Sequence, residues 1–95
     1  MVRELEDILR LLTTNEYRFY FDCGLTTAGK IDKDNIIHIN PLIGDRVVTL
    51  IHECLHEIHK EWTEGEVDDT TERVFRKLSH GEEEILLYYL KEFRK

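Results

Sequence analysis

The chain has 95 residues, enough for one domain over residues 1–95 with a thin core. Hydrophobic residues make up 41% and charged residues 35%, which excludes a disordered chain. Lys and Arg number 13 against 20 Asp and Glu, for a formal net charge of -7, so nucleic acid and anionic membrane surfaces are disfavoured as partners.

No apolar run is long enough to span a bilayer. The N-terminal stretch Met1 to Leu12 mixes acids with its leucines, unlike a signal peptide. Cys23 and Cys54 form no CxxC and are too few for a disulfide framework or a four-cysteine zinc site. Both are read as reduced, and the expected location is cytoplasmic.

Val2, Leu5, Ile8, Leu9 and Leu12 recur at helical steps, which predicts a first helix ending near Thr13 to Asn15. Residues 16–23 alternate, with Tyr17, Phe19, Phe21 and Cys23 on one face, and predict a strand whose aromatics enter the core. A short second strand follows the Ala28-Gly29-Lys30 turn signal. After a turn at Asp34-Asn35, the β-branched run Ile36 to Asn40 makes a third strand, stopped by Pro41. The three strands are read as a meander, with Ile36 to Asn40 at its edge and His38 facing solvent.

From about Asp45 to Glu61 the period is helical, with Val47, Val48, Ile51, Leu55, Ile58 and Trp62 on one face. Thr63 and Glu66 have the spacing of a capping box. They open a helix whose buried stripe is Val67, Thr71, Val74 and Leu78. Ser79-His80-Gly81 breaks it, and a last helix from Glu82 to about Phe93 carries Ile85, Leu86, Tyr89 and Leu90. The expected class is α+β: an N-terminal helix, a small three-stranded sheet, a motif-bearing helix and two further C-terminal helices.

The motif is His52-Glu53-Cys54-Leu55-His56, an HExxH. Two His at i and i+4 share a helical face one turn apart and can chelate one zinc ion (Zn2+). Glu53 lies about 100° around the helix, beside the metal. It can act as general base toward a metal-activated water and then as general acid toward a leaving amine. His59 is read as a surface or outer residue, because a straight helix rarely offers three ligands to one tetrahedral ion. A metzincin third ligand is excluded, since position 59 is His where Gly is needed and position 62 is Trp where His is needed. Trp62 is expected to cap the apolar seam below the cleft.

The third ligand is sought among the acids of the next helix. Asp69 and Glu72 point away from the buried stripe, while Glu64, Glu66 and Asp68 flank it. Glu66, at the helix start where the chain returns to the motif, is preferred, with Glu64, Asp68 and Glu72 as alternatives. Its capping role competes for the same carboxylate.

With these residues the chain resembles the minigluzincins, small metallopeptidases of about this length. The likeness spans a first helix, a small sheet, the Ile36 to Pro41 strand, the Thr49 to His56 helix and an acidic following helix. It implies zinc-dependent endopeptidase activity of the gluzincin type, with a Glu of the following helix as third ligand. It also implies a latent zymogen, with residues 79–95 as an inhibitory segment in the cleft. The substrate expected is a peptide or protein in extended conformation, added to the edge strand by β-augmentation. An oxyanion stabiliser is also required, and Tyr88, Tyr89 and His80 lie in the later part of the chain where one is sought. The competing reading is a non-enzymatic binding module stapled by zinc, since a thin core benefits from such a staple. A protease acting on DNA-bound proteins is disfavoured by the charge balance and the cysteine count.

Overall fold

The computed structural model describes residues 3–14 and 18–92, with the backbone alone for Thr14, Arg18, Phe19, Lys91 and Glu92. The predicted core roles of Tyr17, Phe19 and Phe93 therefore lie outside the described side chains. Seven elements follow in order: α1 (Arg3–Thr14), β1 (Arg18–Phe21), β2 (Gly29–Ile31), β3 (Ile36–Ile39), α2 (Arg46–Ile58), α3 (Glu64–Lys77) and α4 (His80–Glu92). The α+β class and the element order are as expected.

Helical spacing sets the burial of α1, where Leu5, Ile8 and Leu12 are in the core. Glu4 of α1 accepts a hydrogen bond from Arg73 of α3 at 3.1 Å, which ties the first helix to the third. In β1, Phe21 packs half-buried against the core and Tyr20 is exposed, and Cys23, predicted on the inward face of this strand, lies beyond its end and is exposed.

The sheet is not a meander. Its order is β1-β3-β2, with β1 parallel to β3 and β2 antiparallel to it. The physical reason is Asn40, a buried polar residue at the end of β3. Its Nδ2 donates to the carbonyls of Cys23 (3.3 Å) and Leu25 (2.8 Å), and its N–H donates to the Ala28 carbonyl at 2.8 Å. Its Oδ1 accepts from the Leu42 N–H at 2.9 Å. The segment after β1 thus wraps around the end of β3 and delivers β2 to the far side. A meander would keep the β2–β3 pairing and the Asn40 N–H bond, but it would take the Cys23 to Leu25 segment away from Asn40 Nδ2, and leaving that buried group without its acceptors costs about 1–3 kcal/mol. Ile36 to Asn40 is consequently the central strand, and the expectation that it forms the edge is corrected: β2 is an edge.

Between β2 and β3 the chain turns at Asn35, which has φ 60°, a conformation Asn tolerates better than most residues. Asp32 closes this turn. Its Oδ1 accepts from the N–H groups of Asp34 (2.8 Å) and Ile36 (3.2 Å), and its Oδ2 from His38 Nε2 at 2.8 Å. These bonds, with that from His38 first, hold the Asp32 carboxyl below its usual range. His38 is half-buried in this contact rather than simply facing solvent.

Asp45 caps α2, its carboxylate accepting from the N–H groups of Val47 (2.7 Å) and Val48 (3.3 Å). The helix stops at Ile58, short of the predicted Glu61, where His59 leaves the helical conformation and its ring stacks on Trp62 at 3.7 Å between centroids. Thr63 and Glu66 form the capping box of α3. A second such pair, between Ser79 and Glu82, starts α4 two residues earlier than expected, at His80. Helix α2 runs through the centre. Its Leu50, Ile51, Cys54 and Leu55 pack with Ile37 and Ile39 of the sheet, Val67 and Val74 of α3, and Leu86 and Leu90 of α4. The radius of gyration is 12.2 Å, near the roughly 12 Å expected of a compact chain this long. Among the described residues no helix is long and apolar enough to cross a membrane.

Candidate metal centre

The HExxH lies on α2 with one side of the helix sealed in the core and the other lining a cleft of about 560 Å³. Thr27, Ala28 and Gly29 form one wall. Val48, Thr49, His52, Glu53 and His56 form the floor along α2, and Glu64 and Asp68 of α3 form the opposite wall.

The i, i+4 spacing brings the two imidazoles together as expected, with His52 Nε2 and His56 Nε2 3.1 Å apart. One oxygen of Glu64 stands 2.9 Å from His52 Nε2, and the other stands 3.0 Å from His56 Nε2. Glu64, not the preferred Glu66, is the carboxylate that α3 brings to the histidines. The reason is local. Thr63 is the N-cap, so Glu66 is the third helical residue, and its carboxylate turns back to accept from the Thr63 N–H at 2.9 Å. The first and third positions of a helix leave its axis about 200° apart. Glu64 therefore faces the histidines when Glu66 faces the cap. Asp68 follows Glu64 by one turn and shares its face. Glu72, the remaining alternative, is exposed and pairs with Arg76 at 2.6 Å.

Asp68 has a different contact from Glu64. Its Oδ1 lies 3.2 Å from His52 Nδ1, the ring nitrogen turned away from the cluster. An imidazole that donates its Nδ1 proton to a carboxylate presents a free lone pair on Nε2. Two ring nitrogens and two carboxylate oxygens thus converge within one small volume, a donor set rich in lone pairs. Ligands about 2.0–2.1 Å from a tetrahedral zinc ion stand roughly 3.3 Å from one another. Each imidazole meets a different oxygen of Glu64, and with one atom taken from each residue the three donors lie within 4.8 Å of one another, close enough for one ion to reach all three. His52, His56 and Glu64 are the residues that would hold the ion.

Glu53 sits beside the pair, 9% exposed, on the floor of the cleft. Burial pushes its carboxyl above the usual range, the two histidines draw it back, and the Glu64 carboxylate adds to the rise. Among the described residues no side chain hydrogen-bonds to it. His59, stacked on Trp62, stands apart from the cluster, as expected. Cys54, inside the motif, points into the core, and burial pushes its thiol far up. Both cysteines are free thiols.

The later residues sought as oxyanion stabilisers are elsewhere. His80 and Tyr88 are exposed, Tyr89 is half-buried against the core, and none lines the cleft. The described part of the segment expected to plug the cleft does not do so either: Leu86 and Leu90 anchor α4 in the core, away from the histidines. Two residues of the cleft carry no motif in the sequence, Asp68 as a partner of His52 and Gly29 in the wall, and outside the cleft the same holds for Asn40 behind the strand order. Only Asp68 has a readable signal, its i+4 spacing from Glu64. No protein-family model matches the chain, and neither does any curated protein or solved structure.

Proposed function

We propose that this chain is a zinc-dependent endopeptidase that cleaves extended peptide segments. One observation carries the reading: His52 Nε2 and His56 Nε2 stand 3.1 Å apart, each within 3.0 Å of its own oxygen of Glu64, with Glu53 alongside in the same cleft. Bound there, zinc would polarise a scissile carbonyl and acidify water near neutral pH. Glu53 takes the proton from the attacking water as the new C–O bond forms. It returns that proton to the amide nitrogen as the C–N bond breaks, which leaves a carboxylic acid and an amine. Asp68 holds the His52 ring in orientation. A peptide backbone is taken by the outer edge of β2, the strand that borders the cleft.

A zinc staple without catalysis uses the same three ligands, and Glu64 does link α3 to α2. That reading gives no task to Glu53 or to the open cleft. The deciding experiment measures zinc content by mass spectrometry and cleavage of an unfolded protein such as casein. One zinc per chain is expected in the wild type and in Glu53→Gln, and none in His56→Ala. Casein cleavage should fall by about 10²–10⁴-fold in Glu53→Gln. Zinc bound with no cleavage by the wild type would establish the staple instead.

A further inference from the structure

Gly29 occupies an unusual place in the cleft wall. It opens β2, the strand that separates β3 from the cleft. The ladder decides which way its backbone groups face. The Asn40 N–H donates to the Ala28 carbonyl at 2.8 Å, and the Asp32 N–H donates to the Ile36 carbonyl at 3.1 Å. Ala28, Lys30 and Asp32 thus turn their backbone groups toward β3, and Gly29 and Ile31 turn theirs to the outer edge, where the Gly29 carbonyl accepts from the Thr27 hydroxyl at 3.2 Å. Gly29 is the residue of this edge that lies in the cleft wall.

On its other side Gly29 is pressed against α2. A Cβ at this position would stand 2.5 Å from Thr49 Cγ2, 2.9 Å from the His38 carbonyl oxygen and 3.4 Å from Glu53 Cγ. The first two are closer than real Cβ contacts allow. Thr49 cannot turn its methyl aside without cost, because its hydroxyl donates to the Asp45 carbonyl at 3.1 Å and the residue is 5% exposed. Glycine in a strand commonly marks such a close approach of backbone to a neighbour. Here the neighbour is the helix turn that carries Glu53, to which no side chain among the described residues hydrogen-bonds and whose Cγ stands in this same contact.

We infer that Gly29 is a positioning residue for the general base. Lacking a side chain, it lets the edge of β2 close on Thr49 and Glu53. It thereby sets the spacing between the strand that takes the peptide backbone and the carboxylate that moves the proton. This rests on the peptidase reading above. A misplacement of about 1 Å between reacting groups costs roughly 100-fold in rate, so a methyl group at position 29 acts on turnover without touching a zinc ligand.

The test is Gly29→Ala, assayed with zinc loaded on a fluorogenic peptide of neutral sequence, together with zinc content and the amide NMR spectrum. The expected result is zinc still bound one per chain, kcat lower by about 100-fold and KM changed far less. Amide shifts should concentrate at residues 28–31 and 49–53 and spare α4. Thr49→Ser removes the opposing methyl and keeps the hydroxyl, so Gly29→Ala/Thr49→Ser should recover about tenfold of the loss. Should Gly29→Ala fail to fold, the double variant is compared with Thr49→Ser. The contact with the His38 carbonyl remains, so a lower kcat in the double variant supports the inference and an equal kcat overturns it. A folded Gly29→Ala with wild-type kcat, or with no shifts at 49–53, overturns it, as does activity lost only in step with zinc. A wild type without zinc or cleavage instead refutes the peptidase reading itself.

Discussion

Leu50, Ile51, Cys54 and Leu55 are sealed on one side of α2, while His52 and His56, within the same two turns, remain half-open to the cleft. The two sides share a backbone but answer to different physics. The sealed side is held by apolar burial, worth about 1.5–3 kcal/mol for each large side chain. The open side is held by a few polar contacts among groups that repel or compete when left to themselves. Damage to the first should therefore appear as stability, and damage to the second as metal affinity and turnover.

The sharpest way to break this division is Leu55→Ala, which leaves a cavity between α2 and its neighbours. It should cost about 2–5 kcal/mol in urea unfolding. Zinc content of the folded fraction should stay at one per chain. A folded variant that has lost zinc would mean that the two sides are coupled.

The first turn of α3 offers a finer contrast, because Glu64 and Glu66 are two residues apart and differ only in direction. Glu64→Ala should weaken zinc binding by more than about 100-fold, beyond the usual effect of an outer partner. Glu66→Ala should leave zinc binding unchanged and cost about 1 kcal/mol of stability, the value of a cap. Competition with a chelating dye measures the first, and chemical denaturation measures the second. The reverse pattern would return the ligand role to Glu66.

The smallest expected effect lies outside the cleft lining, at the turn closed by Asp32. Its carboxyl is held below the usual value of 3.8, chiefly by the bond from His38. A group with a depressed folded pKa contributes stability above its unfolded value and loses that contribution as pH falls through the folded one. The contribution should therefore be intact near neutrality and fade below about pH 4. Asp32→Asn should flatten that part of the acid limb, read as the urea midpoint at pH 6 against pH 3. An unchanged limb would show that the turn is held by its backbone bonds alone.

Much of the fold is legible from periodicity. The spacing of Leu5, Ile8 and Leu12 in α1, of Ile51 and Leu55 in α2, and of Val67 and Val74 in α3 marks buried faces that the structure shares. Thr63 with Glu66 marks a helix start that is present in full. These features depend on residues three to seven apart, and a helix converts such distances into geometry by itself. The pairing of His52 with His56 is legible for the same reason.

The strand order, the residue that meets the histidines and the wall of the cleft are decided at longer range. Nothing near β1 announces that the following segment will wrap around Asn40, because that depends on where a buried amide 15–17 residues later needs partners. Glu64 and Glu66 are equivalent as carboxylates. The choice between them follows from which side of α3 faces α2, set by the burial of Val67, Thr70, Thr71 and Val74. Gly29 reads as an ordinary turn residue until β2 is laid against Thr49 and Glu53. Local spacing alone is enough to place the motif on a helix and to orient its two histidines, since helical geometry is intrinsic to the chain. Only packing between elements could bring the Glu64 carboxylate to the histidines and the strand beside Glu53, because no local rule states which surfaces will meet.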